Sequence, residues 1–191
     1  TYYPLEFMVA VVNNFGGFYT AELYLHEAKK AGAHIEAPCI NKSNYTTCIY
    51  GTVIYVGFIH ITGLENNVAE RILAERLANG PFVDFDDFMM RVAINLEQLE
   101  ILITINAFRI SGIKKRELLI EAYRRLNKSK KTQPAATLFH TGAPTPYQFP
   151  ELHLDNREDA WDEIKILGFP LSSPIDLIDE PLINNRRLVR V

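Results

Sequence analysis

Residues 54–76, IYVGFIHITGLENNVAERILAER, are the stretch that decides the fold. A short apolar run ends at Ile61, and apolar side chains then recur at helical spacing from Leu64 through Ile72. Gly63 separates the two segments, and a tight turn between packed helices often needs a positive φ, which glycine adopts at little cost. The stretch therefore predicts two short helices joined by a sharp turn at Gly63.

Such a turn also predicts a binding site for an anion, in the layout of a helix-hairpin-helix motif. Without a side chain at Gly63 a ligand can approach the backbone, and the first N–H groups of the next helix have no partner within that helix. A phosphate of DNA is the most natural anion. The alternative is an ordinary pair of packed helices without a ligand. The predicted DNA contacts of this first hairpin are Thr62, Gly63, Leu64, Asn66 and Asn67.

The same layout recurs further along the chain. Residues 96–108 predict a helix that runs into a turn at Asn106, and asparagine is the residue that best tolerates a left-handed conformation after glycine. Another helix follows Gly112 with three cations in its first turn, where the helix dipole disfavours them. An anion bound at that helix start would explain them. The predicted DNA contacts of this second hairpin are Asn106, Arg109, Ser111, Gly112, Lys114, Lys115 and Arg116.

Charge is unevenly distributed along the 191 residues, although the net charge is only −3. Residues 109–131 contain nine Lys or Arg and two Glu, whereas residues 147–180 contain nine Asp or Glu and two Lys or Arg. A polyanionic partner responds to the local field more than to the total charge. The basic segment therefore fits a DNA contact, although a solvated helix face would also explain it.

The remaining segments place both hairpins in a mostly α-helical fold that contains a small β-hairpin. Phe7, Leu23 and Ile113 are among the residues predicted to face the core. A Lys-, Ser-, Thr- and Pro-rich composition predicts a flexible linker after the second hairpin. In chain order the predicted elements are helices at 4–15 and 21–31, a strand at 33–36, the β-hairpin of 45–50 with 52–56, helices at 64–78, 87–93, 96–105 and 113–126, the linker at 127–150, and a helix at 157–169.

Other classes of protein find little support. No run of about eighteen apolar residues predicts a membrane helix, and no secretion leader is visible. Cys39 and Cys48 fit a reduced, cytoplasmic protein. Asp84, Asp86 and Asp87 invite a two-metal site, but helix capping explains all three. We predict neither a catalytic residue nor a metal site, and both ends look internal to a longer protein.

Six segments in collinear order carry a resemblance that covers nearly the whole chain. They are YYPLEFMVAVV at 2–12, APCINKS at 37–43, YVGFIHITGLENNVAERI at 55–72, NGPFVDFDDFMMRV at 79–92, LEILITINAFR at 99–109 and LGFPLSSPIDLI at 167–178. Together they resemble the alpha subunit of bacterial replicative DNA polymerase III, from the end of its fingers domain to the lead-in of its OB fold.

The resemblance implies four parts. Residues 1–36 correspond to the last helices of the fingers domain, and 37–126 to a tandem helix-hairpin-helix domain that grips duplex DNA by its phosphates. Residues 127–150 correspond to a linker with a motif that binds the sliding clamp, here through Leu138 and Phe139. Residues 151–191 correspond to the helical lead-in to the OB fold.

The resemblance also implies partners and cofactors. The parent protein is a DNA-directed DNA polymerase, a nucleotidyltransferase of the cytoplasm that works with other holoenzyme subunits and uses Mg²⁺ in its palm domain. This piece needs no cofactor of its own, and it has no membrane partner. A monovalent cation held by hairpin carbonyls is an expectation taken from helix-hairpin-helix domains in general.

The chain departs from the family pattern at three places. Glu65 replaces the second glycine of the first hairpin, and its carboxylate would repel a phosphate. Asn106 and Arg109 replace a glycine and an aspartate of the second hairpin, so a cation stands where the family has an anion. We therefore expect the second hairpin to contact DNA more strongly than the first. The clamp motif lacks a glutamine at the matching position, with Gln133 two residues early.

Two other functions stay open from the sequence. One is a protein-interaction or structural module whose hairpins have lost DNA binding, which Glu65 and Asn106 favour. The other is a DNA-repair glycosylase, which also uses a helix-hairpin-helix and would need a catalytic Asp or Lys a short way beyond the hairpin, facing a pocket for a flipped base. Asp84 is the candidate for that role.

Overall fold

The computed structural model describes residues 2–15, 17–128 and 156–171. Its helices are α1 (Pro4–Asn13), α2 (Ala21–Lys30), α3 (Asn66–Asn79), α4 (Phe85–Arg91), α5 (Leu96–Thr104), α6 (Lys115–Lys128) and α7 (Asn156–Leu167). Its strands are β1 (His34–Glu36), β2 (Cys48–Tyr50) and β3 (Val53–Tyr55), and 3-10 turns occupy Phe58–His60 and Arg109–Ser111. The mostly α-helical fold is confirmed. Leu138 and Phe139 lie outside the described residues. None of the helices in the described ranges is long and apolar enough to cross a membrane.

The predicted β-hairpin belongs to a three-stranded sheet. β2 and β3 pair antiparallel with Ile49 opposite Ile54, and β1 joins the other side of β3 in parallel with Ile35 opposite Ile54. Ile54 is fully buried at the centre of this sheet. The sequence predicted β1 as a strand but not its partner, because a three-residue strand carries no signal for the strand that it joins.

The buried faces of the first two helices differ from the prediction. α1 packs against α2 and β2 through residues that include Val12, and α2 also packs against β1 and buries Leu25. Phe7 is 56% exposed, Leu23 38% and Ile113 43%, so the prediction that these three face the core is wrong. The sequence of α1 has apolar side chains around most of its circumference. Spacing alone therefore did not single out the face that packs.

Four phenylalanines connect α4 to the second hairpin. The ring centroids of Phe85 and Phe108 are 5.2 Å apart, those of Phe88 and Phe108 4.8 Å, and those of Phe82 and Phe88 5.1 Å. All three pairs meet edge to face, the arrangement that the ring quadrupoles favour. All four rings are buried, so Phe108 attaches the second hairpin to the core.

The three aspartates at the start of α4 are held by protein groups. Asp84 Oδ1 accepts the N–H of Asp87 at 2.8 Å, the bond of a helix cap. Asp87 Oδ2 accepts the N–H of Val83 at 3.0 Å, and this bond is the main cause of the lowered pKa of Asp87. Asp86 forms an ion pair with Arg125 at 2.6 Å. Capping and ion pairing thus account for all three carboxylates, including Asp84, the candidate of the glycosylase hypothesis.

Candidate nucleic-acid interface

The first hairpin joins the 3-10 turn Phe58–His60 to α3. A 3-10 turn stands where the sequence predicted a short helix, so the element before the turn is tighter and shorter than expected. Gly63 has a φ of +82°, as predicted for the turn. A Cβ atom at Gly63 would lie 3.3 Å from Cδ1 of Ile101 on α5. Both the backbone conformation and the close approach of α5 therefore favour glycine here.

A glutamine from the second hairpin closes the turn of the first. The side chain of Gln98, on α5, donates through Nε2 to the carbonyl of Gly63 at 2.9 Å and accepts the N–H of Glu65 through Oε1 at 2.7 Å. Gln98 is 3% exposed. Glu65 occupies the N-cap position of α3 but makes no side-chain capping bond. Gln98 therefore binds the N-cap residue of α3 from a different helix and leaves the first N–H groups of α3 open.

The start of α3 leaves backbone donors open. In the part of the chain that the structure describes, the N–H groups of Gly63, Asn66 and Asn67 have no hydrogen-bond partner. Asn66 and Asn67 are exposed, and the hydroxyl of Tyr45 donates to Oδ1 of Asn66 at 3.1 Å. The helix dipole makes such a start attractive to a phosphate. The exposed carboxylate of Glu65 opposes that attraction.

The other two predicted contacts of the first hairpin are engaged within the protein. The N–H of Thr62 donates to the carbonyl of Ile166, on α7, at 2.9 Å. The N–H of Leu64 donates to the carbonyl of Ile61 at 3.3 Å, and the Leu64 side chain packs half-buried against the core. Their backbone donors are therefore occupied.

The turn of the second hairpin has the left-handed residue that the sequence predicted. Asn106 has a φ of +60°. Its N–H donates to the carbonyl of Ile103 at 2.9 Å, and the N–H of Ala107 donates to that of Leu102 at 2.9 Å. This pair of bonds is the Schellman motif that ends many helices. Gly112, with a φ of +66°, provides a second left-handed position just before α6.

Arg109 and Ser111 are used inside the protein. The guanidinium of Arg109 donates to the carbonyls of Ala37 and Pro38, both at 2.9 Å, and forms an ion pair with Glu36 at 3.0 Å. Its side chain is only 25% exposed. The Ser111 hydroxyl donates to a carbonyl of its own turn at 2.9 Å. The extra cation of the second hairpin thus anchors the turn to β1 and the segment after it.

Carboxylates of α7 meet the first turn of α6. Lys115 Nζ lies 2.5 Å from Oδ1 of Asp159 and 3.1 Å from Oδ2 of Asp162. Arg116 Nη2 lies 2.7 Å from Oε1 of Glu158. The anion that the sequence favoured at this helix start is therefore present within the chain itself.

Lys114 differs from its two neighbours. It is exposed just before α6, and no ion pair to it occurs among residues 2–15, 17–128 and 156–171. The backbone N–H groups of Lys115 and Arg116 follow it in the first turn, where an α-helix has no internal acceptor. Of the three cations at this helix start, Lys114 is the one with an open charge.

The carbonyl oxygens of the two turns are the groups that would bind the expected monovalent cation. The carbonyl of Gly63 accepts from Gln98, and that of Asn106 accepts the N–H of Arg109 at 3.2 Å. Both oxygens already have a donor. A cation at a hairpin stays a prediction.

Sequence reasoning missed Gln98 and the acidic helix start of α7. Asn95 and Gln98 have the spacing of a capping box, in which the Gln side chain turns back to its own helix. Asn95 does cap α5, accepting the N–H of Gln98 at 2.8 Å, but the Gln98 side chain reaches the first hairpin instead. The opposite charges of 109–131 and 147–180 were the available signal for the contact of α6 with α7.

Comparisons with known proteins address the same region. The profile of the helix-hairpin-helix motif family matches residues 32–118, a range that holds both hairpins. The DNA polymerase III alpha subunit of Treponema pallidum is 30% identical over an alignment of 189 positions, and this alignment covers 91% of this chain and 16% of that protein. This chain is related to bacterial DNA polymerase III alpha subunits. That relationship confirms the resemblance on which the sequence analysis relied.

Other polymerase relatives match shorter parts of the chain. The DNA polymerase III alpha subunit of Deinococcus radiodurans is 35% identical over 125 residues, 63% of this chain and 9% of that protein. The error-prone DNA polymerase of Mycobacterium bovis is 35% identical over 105 residues, 54% of this chain and 10% of that protein. The chain thus spans between 9% and 16% of the length of these three relatives.

Proposed function

We propose that the chain binds duplex DNA by its phosphates, without reading base sequence, as the helix-hairpin-helix region of a DNA-directed DNA polymerase. The observation that carries this proposal is the pair of left-handed turns, at Gly63 and Asn106, inside the range matched by the helix-hairpin-helix family. Each turn leads into a helix start with open backbone donors. Such donors bind phosphate whatever the base, because the phosphate is the same at every step of the duplex.

The proposal keeps the four-part division and assigns this chain no catalytic residue. The family match at 32–118 supports the second part, 37–126, as the DNA-binding domain. Residues 1–36 and 151–191 flank it as the end of the fingers domain and the lead-in to the OB fold. Nucleotidyl transfer and its Mg²⁺ belong, in this proposal, to a palm domain elsewhere in the parent polymerase.

Tethering to a sliding clamp is the second element of the proposal. It rests on the family resemblance of the linker 127–150 and on the apolar pair Leu138 and Phe139. The relatives named DNA polymerase III subunit alpha support a cytoplasmic setting with other holoenzyme subunits. Replacing both Leu138 and Phe139 by alanine should abolish capture by a purified sliding clamp, and unchanged capture would remove this element.

The DNA-binding element is tested with a fluorescent duplex of about 20 base pairs. We expect a Kd of about 10⁻⁴ to 10⁻⁶ M near physiological salt, with log K falling by about 0.9 for each phosphate contacted as log salt rises. A second duplex of unrelated sequence should bind equally well. Absence of binding by the wild type and all variants, even at about 50 mM salt, would reject the function.

A charge variant locates the contact at the first hairpin. Asn66→Asp with Asn67→Asp places two carboxylates at the α3 start, where the helix dipole favours them, so the fold should persist. We expect duplex binding to weaken several-fold. The matched control is Thr20→Asp with Thr52→Asp, which adds the same charge at exposed positions outside both hairpins. Equal weakening of duplex binding in both variants would show that the added negative charge weakens binding wherever it lies, and would not locate the contact at the first hairpin.

A further inference from the structure

We infer that α7 masks the second hairpin, so that its acidic first half competes with DNA for Lys115 and Arg116. The inference rests on the proposed function and adds a regulatory contact to it. Three carboxylates, from Glu158, Asp159 and Asp162, lie 2.5 to 3.1 Å from these two cations. The cations that the sequence offers to a phosphate are therefore already paired.

Carboxylates and a phosphate exclude one another at this place. Lys115 is 17% exposed in its side chain and touches two carboxylates, so a phosphate could approach its ammonium only beside two like charges. Repulsion between charges a few ångströms apart is strong in such partly buried surroundings. DNA can use Lys115 only when the carboxylates of α7 move away.

The two halves of α7 are attached differently. Its second half and the residues after it are anchored by buried apolar side chains, including Ile166, Leu167 and Phe169, and by the bond from the Thr62 N–H to the Ile166 carbonyl. Its first half contacts α6 through ion pairs whose carboxylate side chains are 30% to 61% exposed, and ion pairs that water reaches weaken with salt. Among the described side chains of this half, Ala160 is the buried one. The first half can therefore detach while the anchor stays in place.

An open cleft lies beside this contact. It has a volume of about 310 Å³ and is bounded by β1, the turn of the second hairpin, the start of α6 and α7, with Lys115, Arg109, Glu36 and Asp159 in its wall. Apolar packing therefore does not extend along the whole contact between α7 and the second hairpin. Ion pairs bridge the space at the end where the cations lie.

The test uses variants of the full chain that remove the carboxylates without changing side-chain shape. Glu158→Gln with Asp159→Asn and Asp162→Asn should tighten binding of the fluorescent duplex about tenfold. It should also steepen the salt dependence by up to about 1.8 in slope, since two cations gain phosphates at about 0.9 each. Asp159→Asn alone, at the most exposed of the three carboxylates, should change affinity in the same direction with a smaller gain.

Two further proteins separate masking from net charge. Glu6→Gln with Glu22→Gln and Glu27→Gln removes the same charge from α1 and α2 and should tighten binding less than twofold. Lys115→Gln with Arg116→Gln, added to the α7 triple variant, should abolish the gain. Equal tightening in the triple variant and the α1–α2 control, or a gain that survives loss of both cations, overturns the masking.

The two proposals fail in different ways. Wild-type binding that the α7 triple variant does not tighten rejects masking and leaves the DNA-binding function intact. Absence of binding in every variant rejects the function itself. Binding by the triple variant alone, with none by the wild type, supports both and makes α7 the dominant restraint.

Discussion

The two hairpins share a layout and differ in what surrounds their helix starts. The first is neutral to acidic, with Glu65 beside open amides at Asn66 and Asn67. The second is rich in cations, but Arg109 is anchored to β1 and Lys115 is paired with α7. Cation count alone would rank the second hairpin as the stronger DNA contact. The structure shows that Arg109 and Lys115 already have anionic partners within the chain, so the number of cations alone does not rank the two hairpins.

The two hairpins are also in contact with each other, so their structures depend on one another. α5, the first helix of the second hairpin, carries both Gln98, which closes the turn at Gly63, and Ile101, whose side chain would lie close to a Cβ atom at Gly63. The anchor of α7 in turn reaches the first hairpin through Thr62. A change in one hairpin is therefore expected to reach the other, and substitutions can show which contacts carry that dependence.

The largest effect is expected at Gln98. Gln98→Leu leaves the carbonyl of Gly63 and the N–H of Glu65 without their partners at a partly buried place, which should lower the free energy of unfolding by about 2–3 kcal/mol. Urea denaturation measures it. Asn95→Ala, which removes only the cap of α5, is the control at about 1 kcal/mol. A loss for Gln98→Leu no larger than that of the control would show that the hairpins do not depend on this bridge.

Substitution of Arg109 should mainly lower stability, whereas substitution of Lys114 should mainly weaken duplex binding. Arg109→Gln removes charge-assisted bonds to Ala37, Pro38 and Glu36 and should lower the free energy of unfolding by about 2 kcal/mol. Lys114→Gln should change stability by less than about 0.5 kcal/mol, because Lys114 is exposed and forms no ion pair with the residues that the structure describes. It should nevertheless weaken duplex binding and reduce the salt slope by about 0.9. Urea denaturation and duplex binding across a salt series, applied to both variants, test this prediction. A salt slope that Lys114→Gln leaves unchanged would exclude Lys114 from the interface.

The two turn residues should differ in their need for glycine. Gly63→Ala forces a side chain into a left-handed conformation and against Ile101, so we expect a loss of about 1–2 kcal/mol in unfolding free energy. Asn106→Gly removes the strain of the left-handed backbone but raises the conformational entropy of the unfolded chain. Because these two effects oppose each other, we expect the unfolding free energy to change by less than about 0.5 kcal/mol. Chemical denaturation of both measures the difference. A loss for Gly63→Ala no larger than about 0.5 kcal/mol would contradict the need for glycine at this turn.

The smallest effect concerns His60, which ends the 3-10 turn of the first hairpin. Burial lowers the pKa of His60, and its Nε2 has no hydrogen-bond partner among the described residues. The unfolded state therefore binds a proton more readily, so stability should be complete above the unfolded pKa of about 6.5 and should decline as pH falls below it. Melting temperatures of the wild type and His60→Gln between about pH 7 and pH 5 test this. The wild type should lose more than the variant, and parallel curves would contradict the prediction.

Local signals predicted the parts of the fold that local chemistry controls. Pro4 starts α1, Asp84 caps α4, and Asn106 takes the left-handed position of its turn, because each depends on the residue's own backbone and nearest neighbours. Phe7 and Leu23 were placed wrongly, because which apolar face is covered depends on the packing of α1 and α2 together.

The candidate site divides in the same way. Gly63 and Asn67 were predicted from the spacing of the turn and the helix start, and they lie where such a turn places them. Arg109 was predicted as a DNA contact, but its guanidinium donates to the carbonyls of Ala37 and Pro38, which directly follow β1. No spacing rule connects Arg109 with Ala37, because the two residues are far apart in the sequence. The hydrogen bond between them could therefore not be predicted from the sequence.

The sequence by itself determined the order of the elements, the two left-handed turns and the relationship to DNA polymerase III alpha subunits, because these depend on residue type and local spacing. The tertiary structure alone decided which charges remain available. The contacts of Lys115 with Asp159 and Asp162 join residues more than forty positions apart, and Gln98 reaches a turn 35 positions away. Electrostatic interaction depends on distance in space, and only the folded chain sets that distance.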